Sequence, residues 1–437
     1  MKKLISILLA TMLIFSAVSF TVYADEEAPF TVSGAIGDYM VLQRDTENKI
    51  WGWSDKKGEK ITVSFKGNTV EGTVDENGEW LVKLPKMEAD KNENDLTVTM
   101  GDYTETITGI LVGDVYMVGG QSNAEKELSA CGGIYSKDEI QALLDEVPDM
   151  IRYFDQGKSD ATNRKGVMDE PQKDVLKGKK WKKETKSTAN AFSAMGFFFA
   201  HKVAKEADVP VGMIMVASSG SPVSQLMSKE ASQKANYTRY ENNIPVSGMY
   251  NALMHPFINT SIKAMLYYQG ESEMGLAKSD YGKYNEYVKI YVEDLREKME
   301  QNFPFYYVQL SSHTDQQWDG IQDQRAVQFD GLKVIENSGM VVSMDQGFRP
   351  SKGETDFAHP HYKRPVGERL AALALTKLYG IGDENYVLSP EPIYGYKTDK
   401  GVVVKFKNAS ADVDAPTDVP SKITTMYIMA LLAVSCN

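Results

Sequence analysis

Leu111-Val112-Gly113-Asp114-Val115-Tyr116-Met117-Val118-Gly119-Gly120-Gln121-Ser122-Asn123 is the stretch that decides the fold. From Leu111 to Val118 it reads as a strand buried on both faces, the kind found in parallel sheets. The glycine pair lets the backbone turn sharply, which leaves a serine hydroxyl at the sheet edge. In open parallel sheets, ligands gather at the carboxyl ends of strands, so this turn is a candidate site by position. A plain Gly-rich turn, with Ser122 or Asn123 capping a short helix, accounts for the local pattern equally well.

Downstream, strands alternate with helices. Phe192 to Ala207 reads as an amphipathic helix, followed by a second buried strand, Val211 to Ala217. Further strands are expected at Lys263–Tyr268, Phe305–Leu310 and Met340–Met344. Tyr284, Tyr287, Val288 and Tyr291 recur at helical spacing within a helix from Tyr281 to Met299. Pro365 to Tyr379 reads as another helix, stopped by Gly380. Such alternation predicts an α/β fold, a mostly parallel sheet with helices on both faces.

Upstream, the pattern is different. Between Phe30 and Ile110 lie short alternating runs: Ile61, Val63, Phe65; Val70, Gly72, Val74; Trp80, Val82, Leu84; and Leu96, Val98, Met100. Asp75 to Gly78 and Lys91 to Asp95 are rich in turn formers. A small N-terminal β-sandwich over residues 25–110 is expected, ahead of the α/β domain at 111–380. Residues 381–437 form a short β-rich segment, with strands near Tyr386–Leu388 and Val402–Phe406.

The first 24 residues read as a secretory signal peptide. Lys2 and Lys3 precede an apolar run from Leu4 to Phe20, closed by Val22-Tyr23-Ala24. A membrane anchor is the competing reading, and the apolar Met426–Val434 stretch at the other end is too short to span. Cleavage would remove two positive charges and take the formal net charge of the 437-residue chain from -12 to -14. The acidic balance argues against nucleic acid as a partner. Location outside the cytoplasm is expected, and Cys131 and Cys436 allow at most one disulfide.

A serine nucleophile needs a base, and the chain has five histidines: His201, His255, His313, His359 and His361. In Asp356-Phe357-Ala358-His359-Pro360, a carboxylate three residues before the imidazole can bind Nδ1–H and free Nε2 for a serine. A solvated polar loop fits the same spacing, and His361 is a near neighbour. Ser218-Ser219-Gly220-Ser221-Pro222 and Tyr268-Gln269-Gly270-Glu271-Ser272-Glu273 also follow strands. Gly220 can offer a backbone N–H, and Gln269 an amide, to a developing oxyanion. No H-E-x-x-H or similar ligand spacing predicts a metal, and no cofactor is expected. The lysine-rich run from Lys177 to Lys186 around Trp181 is read as a solvated loop rather than an anion site.

Gly120-Gln121-Ser122-Asn123, Tyr268-Gln269-Gly270-Glu271-Ser272 and His359-Pro360 with Lys363 resemble the signature blocks of sialate O-acetylesterase-like carbohydrate esterases, within the SGNH hydrolase superfamily. Met40-Val41-Leu42-Gln43, Trp51-Gly52-Trp53, Gly78-Glu79-Trp80, Tyr250-Asn251-Ala252 and Pro365-Val366-Gly367-Glu368-Arg369-Leu370 extend the similarity from about Phe30 to Gly380. The resemblance implies Ser122 as nucleophile, His359 as base and Asp356 as its orienting acid. It implies an oxyanion hole of Ser122, Gly220 and Gln269, with Gln121, Asn123, Glu271 and Asn251 meeting the substrate.

This chain departs from the family at Ala124, where Met is usual, and at Ser218 to Ser221, where the family usually has Trp-Gly-Gly-Thr. Glu273 stands where Asn is frequent. A fuller C-terminal β-domain is also common in the family, so truncation or a changed reading frame near Asp412 is an expectation. The implied activity is removal of acetyl groups from sugars. Sialic acid esters lead, and acetylxylan or another plant polysaccharide is the alternative. A non-catalytic carbohydrate-binding protein is the reading from another class, and intact Ser122, Asp356 and His359 weigh against it.

Overall fold

The structure is a computed structural model that describes residues 28–157, 168–239, 244–274, 280, 282–311, 320–346, 359–384, 391–399 and 401–407. The expected signal segment, the strand near Tyr386–Leu388, Cys436 and the chain beyond 407 lie outside the described residues.

Eight strands come first: β1 (Thr31–Val32), β2 (Val41–Gln43), β3 (Asn48–Trp53), β4 (Lys60–Phe65), β5 (Asn68–Thr73), β6 (Glu79–Leu84), β7 (Asp90–Met100) and β8 (Tyr103–Gly120). β1, β3 and β6 form one antiparallel sheet, while β5, β4, β7 and β8 pair antiparallel in that order. The alternation read from the sequence is the cause. Ile61, Val63 and Phe65 point inward with Trp80, Val82 and Leu84, and all are buried.

Lys91 to Asp95, expected to be a turn, lies inside β7. The turn chemistry is still present, because Asp90 accepts from Asn92 N at 2.9 Å and from Asn94 Nδ2 at 3.1 Å. The ladder absorbs it as register shifts at Asn94 rather than ending.

β8 then crosses into a second arrangement. Its carboxyl half pairs in parallel with β11 (Val211–Met215) on one side and β12 (Ala264–Tyr268) on the other. β9 (Ile151–Asp155) extends this sheet beyond β11; β13 (Phe305–Gln309) and β14 (Ser338–Val342) extend it beyond β12, all parallel. β10 (Trp181–Lys183) adds an antiparallel edge on β9. The lysine run read as a loop is thus partly a strand. Trp181 is buried and donates to Ala35 O at 2.9 Å, because the ring finds a pocket under the N-terminal strands.

Helices cover the sheet. Ala194–Ala207, capped by Ser193, packs against Arg364–Ala374; Lys283–Met299 buries the tyrosine and valine stripe predicted for it. Gly380 ends the last helical turns in the left-handed region at φ 67°. β15 (Glu391–Thr398) and β16 (Gly401–Lys407) form a hairpin. The result is a mixed α/β molecule with one large mixed sheet.

Candidate active site

The parallel strands deliver their loops to one sheet edge. β8 ends on Gly120 at φ +121°, and a Cβ there would sit 2.1 Å from the Tyr268 carbonyl oxygen. Only glycine permits that approach. Gln121 N then donates to Tyr268 O at 3.0 Å, pinning the turn to β12, and Ser122 opens a single helical turn, Ser122–Glu125.

His359 arrives from 237 residues away. Its Nε2 lies 2.7 Å from Ser122 Oγ, the distance of a nucleophile bonded to its base. The loop that carries it runs into the Arg364–Ala374 helix, with Lys363 N donating to His361 O at 2.8 Å. Asp356, expected behind His359, lies outside the described residues, as does His313. His201 belongs elsewhere: it is buried on its helix, 2.9 Å from Glu184.

The loop after β11 closes on the serine turn. Ser218 N donates to Gly120 O at 3.1 Å, and Ser219 N and Oγ reach Glu125 Oε2 at 2.7 and 2.6 Å. Gly220 follows at φ +69°.

The expected oxyanion and substrate residues separate into two sets. Gln269 is fully buried, with Nε2 directed at Gln121 Oε1 (3.2 Å), Ser221 O (3.3 Å) and Glu273. Gln121 Oε1 also accepts from Ser272 N at 3.2 Å, so Gln121 and Gln269 join the loops after β8 and β12. Asn123 is buried, donating to Glu271 and accepting from the Lys363 ammonium. Asn251 instead anchors the 168–172 segment: its amide donates to Met168 O at 2.8 Å and its carbonyl accepts from Gln172 N at 3.0 Å.

Burial raises the carboxyl pKa of Glu271 above the usual range, against the pull of the Asn123 bond and the Lys363 and His359 charges. Glu273, fully buried, is pushed up to about 7 by the same desolvation. Val223 N at 2.6 Å, Gln269 and Tyr237 OH at 3.3 Å bond to it and oppose that rise, as does the Arg239 charge. The sequence offered one signal for Glu273, a carboxylate where similar chains often have Asn. For Lys363 it offered a place in a block and no role. The Glu125–Ser219 link gave no signal, since in sequence each residue reads as a polar side chain facing water.

Cys131 is buried nearby, its thiol raised to about 11 by burial. Among the described residues, no group of three His, Cys, Asp or Glu side chains is placed to share a metal, and no helix is long and apolar enough to cross a membrane.

A family model described as carbohydrate esterase, sialic acid-specific acetylesterase, matches residues 112–375. The sialate O-acetylesterase of Homo sapiens is 26% identical over 414 residues, covering 82% of this chain and 73% of that protein. Its counterpart in Rattus norvegicus is 22% identical over 426 residues, covering 80% and 74%. Among solved structures, a carbohydrate acetylesterase from Xanthomonas citri superposes with TM-score 0.72 at 27% identity, over 86% of this chain and 81% of that one.

Proposed function

The chain belongs to the sialic acid-specific acetylesterase family of carbohydrate esterases and is a carboxylic ester hydrolase, and from that premise we propose that it releases acetate from 9-O-acetyl sialic acid through Ser122, His359 and Asp356. The observation that carries the chemistry is the 2.7 Å bond between Ser122 Oγ and His359 Nε2 at the carboxyl edge of the parallel sheet.

Ser122 Oγ attacks the acetyl carbonyl carbon while His359 Nε2 takes the hydroxyl proton. The oxyanion is held by the backbone N–H groups of Ser122 and Gly220, with Gln269 bracing the turn through Gln121. The bond to the sugar oxygen breaks and that oxygen takes the proton from His359, leaving acetyl-Ser122. Water then attacks, its proton passing to His359, and Oγ recovers a proton as acetate leaves. Asp356 holds the Nδ1–H of His359 through both steps.

Sialic acid leads because the family model and the mammalian relatives carry that name. The Xanthomonas protein, named only for carbohydrate, supports acetylxylan or a related polysaccharide as the second reading. In this reading the N-terminal strands are a small β-sandwich supporting the esterase, and the first 24 residues direct the chain out of the cytoplasm.

The test is acetate release from acetylated sialic acid, acetylxylan and nitrophenyl acetate by wild type and Ser122→Ala. Loss of turnover on the order of a million-fold is expected on all three. A Ser122→Ala protein with wild-type turnover would overturn the mechanism, and a preference for acetylxylan would overturn the substrate.

A further inference from the structure

Lys363 is a cation where water cannot reach it, 1% exposed beside the serine turn. A buried charge is costly unless it is paired and bonded. The ammonium donates to Asn123 Oδ1 and lies 5.1 Å from the centre of the Tyr268 ring; Asn123 passes the interaction on by donating to the Glu271 carboxylate. One amide therefore bridges a buried cation and a buried anion.

The placement matters more than the charge. Asn123 is the residue after Ser122, and Lys363 belongs to the loop that carries His359. The Lys363–Asn123 bond therefore joins the same two segments as the Ser122–His359 bond and runs alongside it. The two bonds behave differently in turnover. When Ser122 is acetylated, its hydroxyl proton has gone to His359 and on to the leaving sugar, and Oγ has become an ester oxygen. The serine–histidine bond is then lost, yet His359 must stay in place to take a proton from the attacking water. The Lys363–Asn123 bond takes no part in either step and survives both.

We infer that Lys363, acting through Asn123 and Glu271, is a positioning residue that holds His359 over the acetylated Ser122 for deacylation. The inference rests on the serine esterase reading above. It requires acylation to suffer less than deacylation when the link is removed, because in the free enzyme the serine–histidine bond still locates the imidazole. A displacement of about 1 Å in such a group slows a step by roughly 100-fold.

The test uses the full chain with nitrophenyl acetate, comparing wild type with Lys363→Met and with Lys363→Met/Glu271→Gln. The double variant removes both buried charges, a change that is often neutral or stabilising, and so keeps a folded protein available. Expected in either folded variant is a burst of nitrophenolate equal to the enzyme, then a steady rate about 100-fold below wild type. KM should fall in parallel, leaving kcat/KM within several-fold of wild type, with acetyl-Ser122 visible by peptide mass spectrometry. A merely structural role would lower kcat and kcat/KM together without a burst, and that result, or unchanged kinetics, would overturn the inference. If wild type neither turns over nor becomes acetylated at Ser122, the esterase reading itself falls.

Discussion

Among the described residues, the groups hydrogen-bonded to Glu273 are donors: Val223 N, the Gln269 amide and the Tyr237 hydroxyl. They favour the carboxylate, and burial opposes them strongly enough to leave the group near 7 against an ordinary value of 4.5. A raised carboxyl pKa means that the native state holds its proton more tightly than the unfolded chain. Its contribution to stability is therefore full below about 4.5 and disappears as pH climbs through about 7. Glu273→Gln removes that dependence. Urea unfolding across this interval is expected to show wild type losing stability relative to the variant as pH rises, and a constant difference would refute the assignment. Ser122 and His359 were legible through the ordered family blocks that contain them, since the glycine-closed strand end and the Asp-x-x-His spacing taken alone fit a plain turn and a solvated loop equally well. Glu273 and Lys363 were not, because a charged side chain in a string of letters reads as solvated. Only tertiary packing buries it.

At the scale of elements, β8 shows how one strand can be mistaken for a boundary. From Tyr103 to Thr108 every residue but Ile107 reaches solvent, while from Gly109 to Gly120 every residue is buried. The change of pattern at Leu111 reflects what covers the strand, not where it starts. Gly109, at φ +71°, lies where the β7 pairing slips, so the irregularity falls inside the strand. The strands after β8 read from Val211, Lys263, Phe305 and Met340 and the helices read from Phe192, Tyr281 and Pro365 fall within a few residues of the observed ones, because continuous apolar runs and a helical apolar stripe mark them. Ile151–Asp155 and the helices Lys137–Glu146 and Ile321–Asp330, broken up by charged residues, carried no expectation. The end of β8 carries its own prediction. Gly120→Ala would force a Cβ to 2.1 Å from Tyr268 O in a backbone conformation that costs about 1–3 kcal/mol for any other residue. The strand end must move, and Ser122 with it. A loss of at least that stability in denaturant unfolding is expected, with turnover down roughly 100-fold. An alanine variant with wild-type melting and turnover would show that the turn is not constrained as described.

For the whole molecule, the question is whether the N-terminal strands and the parallel sheet stand apart. One apolar cluster runs through both, from Phe30, Trp80 and Val98 to Met117, Phe154, Phe257 and Phe305. Polar locks follow the same route. Asp114, on β8 and fully buried, is held by Arg44 at 3.0 Å, by Gln43 Nε2 at 2.9 Å and by the Tyr379 hydroxyl at 2.7 Å. Asp174 reaches back to accept from Gly34 N at 2.8 Å. Separating the two regions would cut β8 in half and expose the shared apolar cluster, so the N-terminal strands have no core to themselves, while a second cluster between Tyr116 and Leu375 belongs to the parallel-sheet region alone. Unfolding should therefore be one transition, with tryptophan fluorescence and loss of acetate release coinciding. Arg44→Met removes the principal cation from a buried carboxylate, which costs about 3 kcal/mol at the low end for such pairs, since Tyr379 and Gln43 remain. That destabilisation should move the entire transition rather than split it. Two separate calorimetric peaks in wild type, or an Arg44→Met protein whose N-terminal strands melt first while acetate release persists, would show that the two regions fold independently.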